Sequence, residues 1–239
     1  MGHYSFANRQ FLTGYPYHRE PGAGAIGFIT HSGSLFSAIV KNNRGLNFNF
    51  AISPGQERVL TAADYLAWML EQPSTRVVAL VLETIRDPGR FQAALAEANR
   101  RAIPVVLLKI GRSEHGAAMA MSHTGAIAGD QAVIEAVAAR YNVVLVRTIE
   151  ELLDTLELFA SGRRWADGDL AAVADSGGER TLMVDLAADR NLPWAALTAA
   201  TVQVLASTLD KGLAAVNPVD LWGTGHDWQR IYRTCLTAL

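Results

Sequence analysis

Between residues 24 and 161 short runs of consecutive apolar residues alternate with longer stretches whose apolar positions recur every three or four residues. The runs AIGFIT (25–30), FNFAIS (48–53), VVALVL (77–82), PVVLLKI (104–110) and NVVLVR (142–147) are too short for helices and rich in Val, Ile and Phe, which predicts buried strands. Residues 35–44, 62–71, 89–101, 131–141 and 149–160 carry Ala and Leu at helical spacing and predict helices. Strands joined by helical crossovers lie parallel, and parallel strands that are apolar on both sides need helices on both faces. The expected fold class is therefore α/β, a doubly wound parallel sheet. In that architecture ligands gather outside the carboxyl ends of the strands, near the point where the strand order reverses.

The pattern breaks at SGRRWADGD (161–169), which is polar and turn-prone, and restarts with LAAVADSGGERTLMVDLAADR, a strand, a Ser-Gly-Gly turn and a helix. The expected division is a lead-in over 1–23, a first domain over 24–161, a linker over 162–169 and a second α/β domain over 170–239. In the second domain a helix is expected from 199 to 209 and another at the end, with NPVDLWGTG (217–225) between them. Two strands are too few for a complete doubly wound domain, so this domain is expected to be incomplete or covered by a partner.

Composition narrows the function classes. Half of the 239 residues are hydrophobic and 18% are charged, which suits a packed soluble protein and not a disordered one. Lys and Arg number 21 against 23 Asp and Glu, a net charge of −2 that gives no electrostatic reason to expect nucleic acid or an acidic membrane as partner. No apolar run reaches the length of a membrane helix, and the first 24 residues lack the apolar centre of a signal peptide. Cys235 is the single cysteine, so neither an internal disulfide nor cysteine zinc spacing is available, and the cytoplasm is the expected compartment.

Three loops at the expected carboxyl ends carry candidate chemistry. After the first strand Ser32, Gly33 and Ser34 precede an apolar helix, where free N–H groups and the positive helix end converge; a plain N-cap and a phosphate-facing helix start both fit. Glu83 ends the third strand, either as a solvated surface group or as the partner of something cationic in the crevice. The fourth strand ends at Lys109 and leads into GRSEHGAAMAMSHTGAIAGD, which reads as a loop of about twenty residues, longer than most connections.

His123 lies in that stretch, so the topology brings Ser32, Glu83 and His123 to one end of the sheet. A carboxylate bonded to one imidazole nitrogen makes the other a better nucleophile, and a helix start beside it can hold the phosphoryl group that nitrogen accepts. The predicted species is phosphohistidine; the alternative is an imidazole bonded within its own loop. Of the other histidines, His31 and His115 are placed to line the crevice, while His3, His18 and His226 read as solvated; no pair has metal-ligand spacing. In the second domain Ser176, Gly177 and Gly178 repeat the device of a glycine-rich helix start able to approach a phosphate.

Taken together, GAIGFITHSGSLFSAIV, LVLETIRDPGRFQAAL, IPVVLLKIGRSEHGAAMAMSHTGAIAGD, ADSGGE and NPVDLWG resemble the NDP-forming acyl-CoA synthetases, relatives of succinyl-CoA synthetase, over nearly the whole chain. The resemblance implies a flavodoxin-like domain in which His123 carries the phosphoryl group and Glu83 is its carboxylate partner. Ser32, Gly33 and Ser34 then match one phosphate-facing helix start, Thr124 and Gly125 flank the histidine, and Ser176, Gly177 and Gly178 match the other start. The implied reaction joins a small carboxylic acid to CoA with Mg-ATP or Mg-GTP, through acyl phosphate and phosphohistidine, releasing NDP and phosphate.

The family also carries a Rossmann CoA-binding domain, whose end MGHYSF resembles, and an ATP-grasp nucleotide domain; this chain has room for neither. The expectation is a fragment or one subunit of a split synthetase, in a homo- or hetero-oligomer, inactive without those partners. Two other readings stay open: a non-catalytic sensing or docking module derived from the family, and a flavodoxin-like FMN carrier, against which stands the lack of an aromatic pair to sandwich a flavin.

Overall fold

A computed structural model describes residues 2–12, 24–124, 131–163 and 168–239, with 120–124 described by backbone alone. Contacts divide the chain into two compact units, Met1–Arg164 and Trp165–Leu239.

The first unit runs β1 (Gly2–Ser5), β2 (Gln10–Leu12), β3 (Ile26–Thr30), α1 (Gly33–Val40), β4 (Phe48–Ser53), α2 (Ala62–Leu70), β5 (Val77–Leu82), α3 (Pro88–Arg100), β6 (Val105–Lys109), α4 (Glu114–Thr124), α5 (Gln131–Tyr141), β7 (Val144–Val146) and α6 (Ile149–Ala160). Its strands form one sheet in the order β2-β1-β4-β3-β5-β6-β7, with β4, β3, β5, β6 and β7 parallel. The five strands expected from the apolar runs are these five. The chain moves outward in opposite directions from β3, so the order reverses between β3 and β5.

Both faces are covered, as strands apolar on both sides require. Val78, Leu80 and Leu82 pack with Leu66 and Met69 of α2, Phe91 and Leu95 of α3 and Ile134 of α5. Val77, Ala79 and Val81 point the other way, among Phe36 and Ile39 of α1 and Leu152 and Leu156 of α6. Helix starts are set by local chemistry: Asp87 accepts from Arg90 N at 2.9 Å with Pro88 opening α3, and Thr148 accepts from Glu151 N at 3.1 Å to open α6.

Two elements depart from expectation. Within the lead-in, residues 2–12 form an antiparallel hairpin whose β1 pairs with β4, Tyr4 opposite Ala51. Tyr4 sits 5.1 Å from the Phe11 ring and 5.0 Å from Phe36, so alternating aromatics make this edge part of the core. Sequence periodicity over so few residues cannot announce a strand that needs β4 as its template.

The second correction concerns the expected loop after Lys109: residues 114–124 form α4, which places His123 in the last turn of a helix. Ala, Met and Glu favour helix intrinsically, but a segment of Gly, Ala, Ser and His has no stripe of large apolar residues for periodicity to reveal.

The second unit contains β8 (Val173–Ala174), α7 (Gly177–Ala188), α8 (Ala199–Thr208), β9 (Val219–Asp220) and α9 (Trp228–Ala238). β8 and β9 pair in parallel over a small core of Leu205, Val219, Leu221, Ile231 and Cys235. Asn217 ties the unit together, donating to the carbonyls of Leu170 (2.7 Å) and Ala195 (3.0 Å) and accepting from Ala172 N (3.1 Å).

Candidate functional site

The loops that leave β3, β5 and β6 meet where the strand order reverses. On the β3 side Ser32 N donates to Thr30 Oγ1 (3.1 Å), Ser32 Oγ accepts from Leu35 N (3.3 Å) as the N-cap of α1, and the Ser32 and Ser34 hydroxyls lie 3.1 Å apart. The first turn of α1 has no acidic residue, so the positive end of its dipole is not neutralised from within. A Cβ on Gly33 would meet nothing within 4 Å. Packing does not demand glycine there, whereas close approach of a ligand to the backbone would.

Glu83 follows the last residue of β5 and is 8% exposed. Its backbone N–H donates to Nδ1 of His31 at 3.2 Å, and its backbone C=O accepts from Nζ of Lys109 at 2.7 Å. His31 Nε2 lies 3.0 Å from Oε1 of Glu57. Since Nδ1 accepts a hydrogen bond, the network assigns the ring hydrogen to Nε2, which donates to the Glu57 carboxylate.

Glu57 is buried, with a φ of +50°, and Oε1 also accepts from Ala62 N at the start of α2. Oε2 faces Arg86 Nε at 3.8 Å. Lys109, 3% exposed, donates also to the Ile110 carbonyl. Burial pushes its ammonium below the ordinary lysine range, and the Glu83 carboxylate opposes that shift.

The structure thus brings Ser32, Gly33, Ser34 and Glu83 to one end of the sheet. The side chains of His123 and Thr124, and the whole of Gly125, lie outside the described residues. Beside the carboxyl ends of β6 and β7 a cavity of about 730 Å³ is lined by Leu35, Lys109, Arg112, Gly116, Arg147 and Thr148. Another, of about 580 Å³, opens at the opposite end beside Gly24, Asn47 and Arg76, away from the loops that follow the strands.

In the second unit Ser176 caps α7, accepting from Glu179 N at 3.1 Å, and Gly177 and Gly178 open the helix. Its surroundings differ from those of α1. A Cβ on Gly177 would sit 3.5 Å from Oδ2 of Asp220, and a side-chain hydrogen bond with Asp175 pushes the Glu179 carboxyl above its ordinary range, so carboxyl groups surround this start.

Sequence reading did not identify Glu57, Lys109 or Arg86 as members of the site, and placed His31 merely near it. Lys109 carried a signal, a charged residue ending a fully buried strand. Glu57 carried none, because only the path of the chain after β4 brings it under His31. Among the described residues no group of three His, Cys, Asp or Glu could hold a metal ion, and no helix is long and apolar enough to cross a membrane.

Comparison with known proteins places this chain in a family. The chain is 32% identical over 220 residues to a trans-feruloyl-CoA synthase from an unknown prokaryotic organism, covering 91% of this chain and 31% of that protein. It is 31% identical over 221 residues to the alpha subunit of acetate--CoA ligase [ADP-forming] II of Pyrococcus furiosus, covering 89% of this chain and 47% of that subunit. The chain therefore spans less than half the length of either relative. Among solved structures, Ca. Korarchaeum cryptofilum dinucleotide forming acetyl-coenzyme A synthetase 1, in complex with phosphate and ADP, superposes with a TM-score of 0.85 at 25% identity, over 99% of this chain and 51% of that one. These relatives are CoA ligases and synthetases by name, the Pyrococcus furiosus subunit an ADP-forming one, and this chain is homologous to part of each. Residues 23–159 match the succinyl-CoA ligase like flavodoxin domain, and the chain belongs to that family.

Proposed function

We propose that this chain supplies the phosphohistidine centre of an NDP-forming acyl-CoA synthetase, an acid-thiol ligase, with His123 as phosphoryl carrier and Glu83 as its carboxylate partner. The observation that carries the reading is Glu83 at the end of β5, at the strand-order reversal beside an α1 start free of acidic side chains. One imidazole nitrogen donates its hydrogen to the carboxylate. The other attacks the terminal phosphorus of ATP or GTP, and the bond to NDP breaks.

The carboxylate of a small acid then takes the phosphoryl group from His123, forming acyl phosphate. CoA thiolate attacks the acyl carbon and phosphate leaves. Ser32 caps the helix start with its N–H held by Thr30 Oγ1, and Gly33 and Ser34 present theirs to the travelling phosphoryl; an exposed helix start contributes about 0.3–1 kcal/mol and a partly buried one up to about 2, so position supplies the rest. Thr124 and Gly125 flank the carrier. Ser176, Gly177 and Gly178 form a second phosphate-facing start.

In this reading CoA and Mg-nucleotide are bound by a Rossmann CoA-binding domain and an ATP-grasp domain or subunit, in the cytoplasm. A relative that is itself named as an alpha subunit supports the division between subunits.

The test is phosphorylation of the purified chain with phosphoramidate, followed by mass spectrometry of acid-labile, base-stable phosphate. Phosphate is expected on His123 ahead of the other five histidines, with E83Q slowing its formation about 10²-fold, the low end of what a positioned proton acceptor contributes. Adding a Rossmann CoA-binding domain and an ATP-grasp partner, with ATP, acid and CoA, is expected to give acyl-CoA formation. Phosphate distributed over exposed histidines with His123 unmodified would overturn the proposal.

A further inference from the structure

We infer that His31 and Lys109 are positioning residues that hold Glu83 by its backbone N–H and its backbone C=O, beyond the last rung of the sheet. The ladder itself ends one step earlier. His31 N donates to the Val81 carbonyl at 3.2 Å and Ile110 N to the Leu82 carbonyl at 2.9 Å. Past those bonds the neighbouring strands have diverged into loops, and a residue there would normally fray.

Side chains take over instead. The Glu83 N–H, on the β3 side, meets Nδ1 of His31; the Glu83 C=O, on the β6 side, meets Nζ of Lys109. Each flanking strand thus replaces a missing backbone partner with a side chain, and the Cα of Glu83 is fixed from two directions.

The arrangement is demanding in its chemistry. The imidazole must present an unprotonated Nδ1 to an N–H donor, so Nε2 must carry the hydrogen, and the buried Glu57 carboxylate at 3.0 Å enforces that tautomer. Glu57 is in turn anchored on Ala62 N at the start of α2. A chain of contacts therefore runs from the loop after β4, through the end of β3, to the end of β5. Burying a carboxylate and an ammonium is costly unless each is paired; here the Lys109 ammonium bonds the carbonyls of Glu83 and Ile110, and the Glu57 carboxylate bonds His31 and Ala62 N. The inference rests on the reading of Glu83 as the partner of His123, since it is that carboxylate whose placement the clamp controls.

The phosphoramidate reaction at His123 tests it, on the full chain with four substitutions. H31L removes the acceptor and is expected to slow phosphohistidine formation about tenfold or more, as is K109M, which keeps the stem and loses the ammonium. H31Q, whose amide can accept from Glu83 N–H and donate to Glu57, is expected to remain within about threefold of the parent. Because the clamp acts through Glu83, adding H31L to E83Q should slow the reaction no further than E83Q alone.

Parent-like rates in H31L and K109M with a slow E83Q would overturn the clamp and leave the phosphohistidine reading standing. A slow double variant equal to the product of the two single effects would also overturn it, since His31 would then act apart from Glu83. A parent-like E83Q would remove both. If H31L does not fold, the ring-nitrogen NMR spectrum of His31 in the parent chain decides: the hydrogen is expected on Nε2, and protonation at Nδ1 would refute the arrangement.

Discussion

Removing the Glu57 carboxylate separates the worth of its charge from the worth of its hydrogen bonds. Oε1 accepts from both His31 Nε2 and Ala62 N, while Oε2 faces Arg86. Glu57→Gln retains an oxygen where Oε1 stands, so both donors keep an acceptor and only charge assistance is lost, about 1 kcal/mol per bond. Relief of the buried charge offsets about half of that total, leaving an expected loss of about 1 kcal/mol.

Glu57→Leu strands both donors. At about 2 kcal/mol each the loss is about 4 kcal/mol, reduced by about 1.5 kcal/mol for the buried leucine, a net of about 2.5 kcal/mol. Urea denaturation followed by circular dichroism reads the totals. Hydrogen exchange at the Ala62 amide locates the loss, with protection there kept in E57Q and falling in E57L. Equal stability of the two variants, or E57L within about 0.5 kcal/mol of the parent, would falsify the account of Glu57 as a buried acceptor for two donors.

Three further outcomes are expected. The Thr61 backbone N–H and hydroxyl, and then Arg90, hold the Asp64 carboxyl below the ordinary range. A depressed native value stabilises above the unfolded pKa of about 3.9 and is lost as pH falls through the native one; the stability gap between parent and D64N in urea melts should therefore shrink to nothing in that acid window. Gly33→Ala meets open space, so its melting temperature should stay at or slightly above that of the parent, by the helix propensity of alanine, while phosphohistidine formation falls about tenfold if the phosphoryl group approaches that backbone. Asn217→Ala removes three hydrogen bonds that join separate segments of the second unit and is expected to cost it about 3 kcal/mol, read as faster hydrogen exchange at Val219 and Leu221.

Strand and helix positions were legible wherever a segment is buried. Val77–Leu82 is apolar at every position because both faces of β5 are covered, and Gln131–Tyr141 and Ile149–Ala160 have the bounds that their periodicity predicts. Legibility failed where burial leaves no periodic trace. The hairpin of β1 and β2 depends on β4 for its pairing, and α4 is helical by the propensity of small residues, with no apolar stripe. Ser32 and Glu83 were visible as polar residues at the ends of apolar runs, since a polar group at that point breaks the pattern.

From sequence alone came the alternation of strand and helix, the parallel sheet it compels, and the candidate residues at the strand ends, all of which follow from local pattern and the need to bury apolar surface. Tertiary structure decided which strand ends are neighbours. With β3 between β4 and β5, and β6 on the far side of β5, an imidazole from residue 31 and an ammonium from residue 109 reach the backbone N–H and C=O of Glu83, and a carboxylate from residue 57 reaches that imidazole. Local pattern carries no record of such contacts, because the residues are 26 to 52 positions apart and are joined only by the order in which the chain crosses the sheet.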